Sequence, residues 1–252
     1  VFPFEYGNFK QFLQIIKKKN IGIVKMEVAR NVKPNQKFLK FVRQQCNKNK
    51  IILIFDECTS GFRQSFGGMH KLLKINPDIA VFGKSLGNGF AITAVIGKKK
   101  IMEASKKSFI SSTFWSERVG YVAALETLKQ MQKTRTWSKI SNLGIYFRKK
   151  IKKIANKNSV EIEIKGLLAI PSFTIKKDKK NILKTFITQE MLKRGFLINN
   201  AVYICISHNK KIFDKFFKAL DEILRTINKY PIRKIRMMLI SKESNTGFGR
   251  LN

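Results

Sequence analysis

Two acidic residues, Asp56 and Glu57, close the apolar run Ile51–Phe55. A lysine, Lys84, follows the apolar run Ile79–Phe82 after a single glycine, and the hydroxyls of Ser111, Ser112 and Thr113 precede a helical pattern beginning near Glu117. Short continuous apolar runs of this kind read as buried parallel strands. Parallel sheets bind ligands beyond the carboxyl ends of their strands, which is where Asp56 and Lys84 fall. The period-two alternation of a strand puts Asp56 and Cys58 on one face and turns Glu57 to the other. An apolar lead-in tethers Lys84 at a defined depth, where desolvation favours the neutral amine needed for imine chemistry. Hydroxyls ahead of a helix N-terminus can hold a phosphate. Each feature also has an ordinary reading: Asp56 as a cap or loop carboxylate, Lys84 as a loop lysine, Thr113 or Ser116 as an N-cap. The Gly83–Gly89 stretch is not a nucleotide phosphate loop, because its lysine precedes the later glycines. Together, an acid for a protonated ring nitrogen, an amine for a Schiff base and hydroxyls for a phosphate match one cofactor, pyridoxal 5'-phosphate. No metal is expected, since His70 and His208, the only histidines, lie in no ligand spacing.

The elements that must position these residues follow from periodicity. Phe9, Phe12, Leu13, Ile15 and Ile16 mark a first helix, Ile21–Val28 a strand with Glu27 near its end, and residues 33–49 a helix opened by Pro34. After the strands at 51–55 and 79–82, a third strand is expected at Ala91–Ile96 and a short helix at Ile101–Lys106. A long helix follows over Glu117–Met131, broken near Trp137 and resuming over Leu143–Ile154. The texture then changes to strand (160–165), strand (167–175), helix (181–194), strand (202–206) and helix (210–228). The expected organisation is an α/β domain over residues 1–155 with a mixed, mostly parallel sheet, and a small α+β domain over 156–252.

Composition excludes some classes of function. No run reaches the roughly 18–20 apolar residues of a membrane helix, so no membrane partner is expected. Cys46, Cys58 and Cys205 propose neither a disulfide framework nor a zinc knuckle, which points to the cytoplasm. The 51 basic residues exceed the 16 acidic ones, a net charge of +35. This excess is mostly lysine spread over the whole length, which reads as compositional drift; a basic polyanion- or nucleic-acid-binding protein is the rival reading. Phe213, Phe216 and Phe217 interleave with lysines, but at helical spacing, as a core stripe does.

The motifs also resemble a family. Ile54–Arg63 (IFDECTSGFR), Asn76–Ile79 (NPDI) and Phe82–Gly89 (FGKSLGNG) look like the signature of class III pyridoxal-phosphate aminotransferases, closest to the glutamate-1-semialdehyde 2,1-aminomutase-like branch. Ile110–Arg118 and the ending Thr246–Leu251 resemble members from surface-polysaccharide gene sets. The resemblance runs from about Phe4 to the C-terminus and implies fold-type I with a partial large domain. It implies a PLP-dependent transaminase or 1,2-aminomutase acting on a small amino or oxo substrate through an aldimine at Lys84, in a homodimer with shared active sites and with no specific nucleic acid. It gives Asp56 the pyridinium nitrogen, sets Cys58 against the ring face in place of the usual Val, and gives Thr113 the cofactor phosphate of the partner subunit. Glu27 matches the glutamate of a Glu-Pro element whose proline is Val28 here, with a structural role. The resemblance also implies that the chain begins midway through the large domain, without the phosphate-cup turn, the stacking aromatic or the segment that closes over substrate. An inactive fragment or dimerisation partner is the alternative within the same fold.

Overall fold

The computed structural model describes residues 1–29, 33–114, 116–178, 180–199 and 201–245. The Thr246–Leu251 motif therefore lies outside the described residues, as does Trp115. The chain divides into two compact units, Val1–Ser138 and Lys139–Asn252.

In the first unit the order is α1 (Phe9–Lys18), β1 (Ile23–Glu27), α2 (Gln36–Lys48), β2 (Ile52–Asp56), α3 (Met69–Leu73), β3 (Ile79–Phe82), β4 (Ala94–Gly97), α4 (Lys99–Met102) and α5 (Arg118–Thr134). The strands form one sheet in the order β1-β2-β3-β4, with β1, β2 and β3 parallel and β4 antiparallel. Asparagines start the first two long helices: the Asn8 side chain accepts from Gln11 N–H at 3.0 Å and Asn35 from Phe38 N–H at 3.1 Å. The apolar face of α1 meets α2 through edge-on and tilted rings of Phe9, Phe12, Phe38 and Phe41.

Burial alternates along the sheet. Val24, Met26, Leu53, Phe55, Ala80 and Phe82 are buried, while Lys25, Ile54, Asp56 and Val81 between them are exposed or half-buried. The continuous apolar runs predict strands buried on both faces; here one face carries the core, and Asp56 lies on the other. Ala80 and Phe82 pack with Leu86 and with Ala124 and Leu128 of α5, fixing the chain on either side of Lys84. Asp78 ties the parallel strands at their base. Its carboxylate accepts from Leu53 N–H (2.8 Å) and Arg43 Nη1 (2.8 Å) and pairs with Lys98 Nζ (2.6 Å).

The second unit holds most of α6 (Thr136–Lys157), then the antiparallel hairpin β5 (Ile162–Leu167) and β6 (Ile170–Ile175), α7 (Ile182–Lys193), α8 (Lys210–Lys229) and α9 (Ile232–Met237). The helix break expected near Trp137 falls at Arg135, in the left-handed region at φ 51°. The first unit ends at Ser138, near the start of α6, and the body of that helix is fastened to the hairpin. Gly144 lies against the Leu168 carbonyl, and Arg148 Nη2 donates to the carbonyls of Lys165, Gly166 and Leu167. The strand expected at 202–206 is reduced to one bridge, Ser172 to Ala201, extended by Val202 N–H to Pro171 O and Ile204 N–H to Ala169 O. Phe213, Phe216 and Phe217 are buried against Phe147, so the aromatic stripe is core and no stacking platform.

Candidate active site

The parallel pairing of β2 with β3 sets Asp56 opposite Val81, so the residues that follow each strand leave the sheet on the same edge. Asp56 ends β2 half-buried; its Oδ1 accepts from Cys58 N–H at 3.1 Å and its Oδ2 meets Lys25 Nζ of β1 at 3.2 Å. Burial pushes the Asp56 carboxyl up, but the Cys58 N–H and the Lys25 ammonium outweigh it and hold the group below the usual carboxylate range. Asp56 is therefore an anion at neutral pH, as a partner for a protonated ring nitrogen must be.

Lys84 opens a 3-10 turn, Lys84–Leu86, directly after β3 and Gly83. Its backbone lies at φ 45°, a left-handed conformation that a side-chain-bearing residue adopts only where its surroundings impose it. The desolvation expected at this lysine is not observed: Lys84 is exposed. A hydrogen bond aims the amine instead, since Lys84 Nζ donates to Thr59 Oγ1 at 2.7 Å.

Cys58, bonded through its N–H to Asp56, faces Gly83. Its sulfur lies 3.5 Å from where a Cβ on Gly83 would be, and burial followed by the charge of Asp56 raises its thiol pKa, opposed by Lys84 and Lys25. Asp56 holds the N–H of Cys58 and Lys84 Nζ holds the hydroxyl of the next residue, Thr59, so Asp56, Cys58, Thr59 and Lys84 form one cluster. Thr113 stands outside it, exposed on the approach to α5.

The loop that carries Thr59 is held by Glu57, which turns away from Asp56 as strand alternation requires and is fully buried. Its carboxylate accepts from Ser60 Oγ (2.5 Å), Met69 N–H (2.8 Å), His70 N–H (2.9 Å) and His70 Nδ1 (2.8 Å). Gly68 leaves room for this contact: a Cβ there would strike the His70 ring and stand 2.7 Å from Glu57 Oε1. Sequence reasoning missed Thr59, Glu57, His70 and Lys25 as parts of the site. The one available signal was the run of hydrogen-bonding side chains, Asp56 to Ser60, straight after an apolar strand.

The cluster's chemistry fits the ring end of pyridoxal phosphate. An amine and a carboxylate stand at neighbouring strand ends, with Cys58 against Gly83 beside them. For the phosphate, the sequence offers the exposed hydroxyls of 111–113.

Comparisons with known proteins agree with this chemistry. The chain is 30% identical over 243 residues to 3-aminobutyryl-CoA aminotransferase of Cloacimonas acidaminovorans, spanning 91% of this chain and 59% of that protein. It is 31% identical over 220 residues to glutamate-1-semialdehyde 2,1-aminomutase of Methanosphaera stadtmanae, spanning 79% of this chain and 51% of the relative. The chain thus spans between about half and three-fifths of the curated relatives it matches. Among solved structures, the internal aldimine form of the FumI protein of Sphingopyxis sp. MTA144 superposes with a TM-score of 0.80 at 20% identity, over 87% of this chain and 56% of that one. That likeness establishes the fold as that of the pyridoxal-phosphate transaminases, a mixed, mostly parallel sheet with helices. Residues 31–224 match the family model for class-III aminotransferases, and the chain belongs to that family, whose cofactor is pyridoxal phosphate.

Proposed function

We propose that this chain carries the cofactor-attaching half of an aminotransferase or aminomutase active site, with Lys84 as the attachment lysine and Asp56 as the partner of the ring nitrogen. Bound there, pyridoxal phosphate supplies an aldehyde that condenses with primary amines and a ring that accepts electron density from the carbon beside the nitrogen. The chain's own residues supply the rest. Asp56, held ionised by Cys58 N–H and Lys25, would accept the N–H of the ring nitrogen and keep it protonated. Lys84 would be the cofactor's point of attachment, and its free amine would take a proton from the substrate carbon and return it nearby. Thr59 Oγ1 holds the displaced amine within reach. Cys58 presents a compact, polarizable side chain to the ring face, and Thr113 serves the phosphate of a second subunit from an exposed segment, which makes a homodimer the working unit.

Whether the amine leaves with an oxo product or returns to the neighbouring carbon, these residues serve both outcomes, so the reading covers a small amino donor and acceptor pair without choosing between them. The three free cysteines accord with a cytoplasmic setting, and among the described residues no helix is long and apolar enough to cross a membrane.

The supporting observation is that Asp56 ends β2 and Lys84 follows the adjacent parallel strand β3, with Lys84 Nζ hydrogen-bonded to Thr59, three residues beyond Asp56. Incubation with pyridoxal phosphate, borohydride reduction and peptide mass mapping tests the reading. The expected result is a single reduced adduct at Lys84, lost in Lys84→Ala. An adduct on another lysine, at comparable yield in wild type and Lys84→Ala, would overturn the assignment.

A further inference from the structure

One oxygen of Asp56 is already engaged by a second cation. In the register of the parallel pair, Lys25 stands opposite Ile54 and Glu27 opposite Asp56, so Lys25 and Asp56 share the half-open face of the sheet as diagonal neighbours. The Lys25 ammonium reaches Asp56 Oδ2 at 3.2 Å, with side-chain exposures of 61% and 23%. Oδ1 accepts from Cys58 N–H at 3.1 Å. The charged and titratable groups beside this carboxylate are Lys25 and Glu27 from β1 and the Cys58 thiol, on which the charge of Lys84 also acts.

A lysine on this strand does nothing for the core, since its neighbours Val24 and Met26 fill the buried face. Its ion-pair partner among the described residues is the carboxylate that the proposed function assigns to the ring nitrogen. The contact restrains the carboxylate on the strand side while the Cys58 N–H restrains it on the loop side. It also offsets part of its negative charge.

We propose that Lys25 is a positioning residue of the cofactor site. It sets the orientation of Asp56 and weakens its pull on a proton, so that the ring nitrogen loses its proton at a lower pH than an unpaired aspartate would allow. The inference rests on the assignment of Asp56 to the ring nitrogen, and it concerns this chain's own β1 lysine. The attraction between the ammonium and the carboxylate is partly screened, because the lysine is largely in water. The expected effect is therefore moderate, about one pH unit or tenfold in the protonation equilibrium.

The test follows the ring nitrogen itself. The chain is loaded with pyridoxal phosphate labelled with 15N in the ring, and the nitrogen resonance is titrated with pH in wild type, Lys25→Met, Lys25→Arg and Asp56→Asn. Lys25→Met is expected to raise the ring-nitrogen pKa by about one unit and Lys25→Arg to leave it near wild type. Asp56→Asn is expected to lower it further than any Lys25 variant raises it. Raising the salt from 0.05 to 0.5 M on the unmutated chain should move the pKa in the same direction as Lys25→Met, because an exposed pair is screened; this arm needs no variant to fold. If Asp56→Asn moves the titration while neither Lys25→Met nor salt does, the inference about Lys25 fails and the assignment of Asp56 stands. If Asp56→Asn leaves it unmoved, or the wild-type chain takes up no cofactor, the underlying reading fails and carries the inference with it.

Discussion

Glu57→Ala is expected to destabilise the first unit by about 3–5 kcal/mol, measured as a fall in the urea midpoint with little change in slope. The size follows from what the carboxylate does. It is fully buried and accepts four hydrogen bonds, two of them from the backbone N–H groups of Met69 and His70 at the start of α3. Removing it leaves those two donors buried without partners, at about 1–3 kcal/mol each, and a void of carboxylate size. Glu57→Gln is expected to cost less, about 2 kcal/mol. The serine hydroxyl can turn to accept from the new amide, but either Met69 N–H or His70 N–H must face an NH2 group.

The acid dependence distinguishes this clamp from simple packing. Burial alone pushes the Glu57 carboxyl up, and the hydrogen bonds from His70 and Ser60 and the N–H groups of His70 and Met69 more than reverse it. Its folded pKa is therefore depressed below the unfolded value of about 4.3. A depressed acid contributes stability that is fully present above its unfolded pKa and lost as pH falls through the folded one. The gap between wild type and Glu57→Gln should accordingly narrow steadily below about pH 4.3. A gap independent of pH between 7 and 3 would show that the ionised clamp is not what stabilises the loop. Because this loop carries Thr59, a loosened clamp should also free Lys84 Nζ from its acceptor and slow adduct formation before it unfolds the chain.

Much of this arrangement was legible in the sequence, and the parts that were not share a cause. Strand ends at Asp56 and before Lys84 could be read because the apolar runs stop abruptly and the flanking Pro77 and Gly83 break the pattern. The opposite fates of Asp56 and Glu57 followed from period two alone. Lys25 and Thr59 were hidden because their roles come from neighbours 31 and 25 residues away, and one-dimensional spacing holds no trace of a strand register. The burial expected of Lys84 failed for a related reason. An apolar strand shields the side chains along it, while the residue after its end takes the environment of whatever loops fold over that edge. The strand expected at 202–206 is not formed as such: the bridge falls at Ala201, and Val202 and Ile204 donate to Pro171 and Ala169 without a continuous ladder, so hydrophobic pattern overstated the regular pairing.

The seam between α6 and the β5–β6 hairpin gives a prediction in which two known effects oppose each other. Alanine is a better helix former than glycine by about 1 kcal/mol, so Gly144→Ala in the middle of a 22-residue helix should stabilise the protein if local propensity governs. The tertiary contact points the other way. A Cβ at this position would run into the carbonyl oxygen of Leu168, with the carbonyl carbon and Cα of Leu168 close behind. Those are backbone atoms of a tight turn, and they cannot rotate aside as a flexible side chain would. Retreat of the helix would also lengthen the three hydrogen bonds, at 2.7–3.1 Å, by which Arg148, one turn further on, holds the carbonyls of Lys165, Gly166 and Leu167. Overpacking of this kind costs about 1–3 kcal/mol, and the stretched guanidinium contacts add to it. The expected outcome is therefore a net loss of about 2 kcal/mol, read as a lower thermal midpoint of the second unit. A variant more stable than wild type would mean that the hairpin yields where it meets the helix.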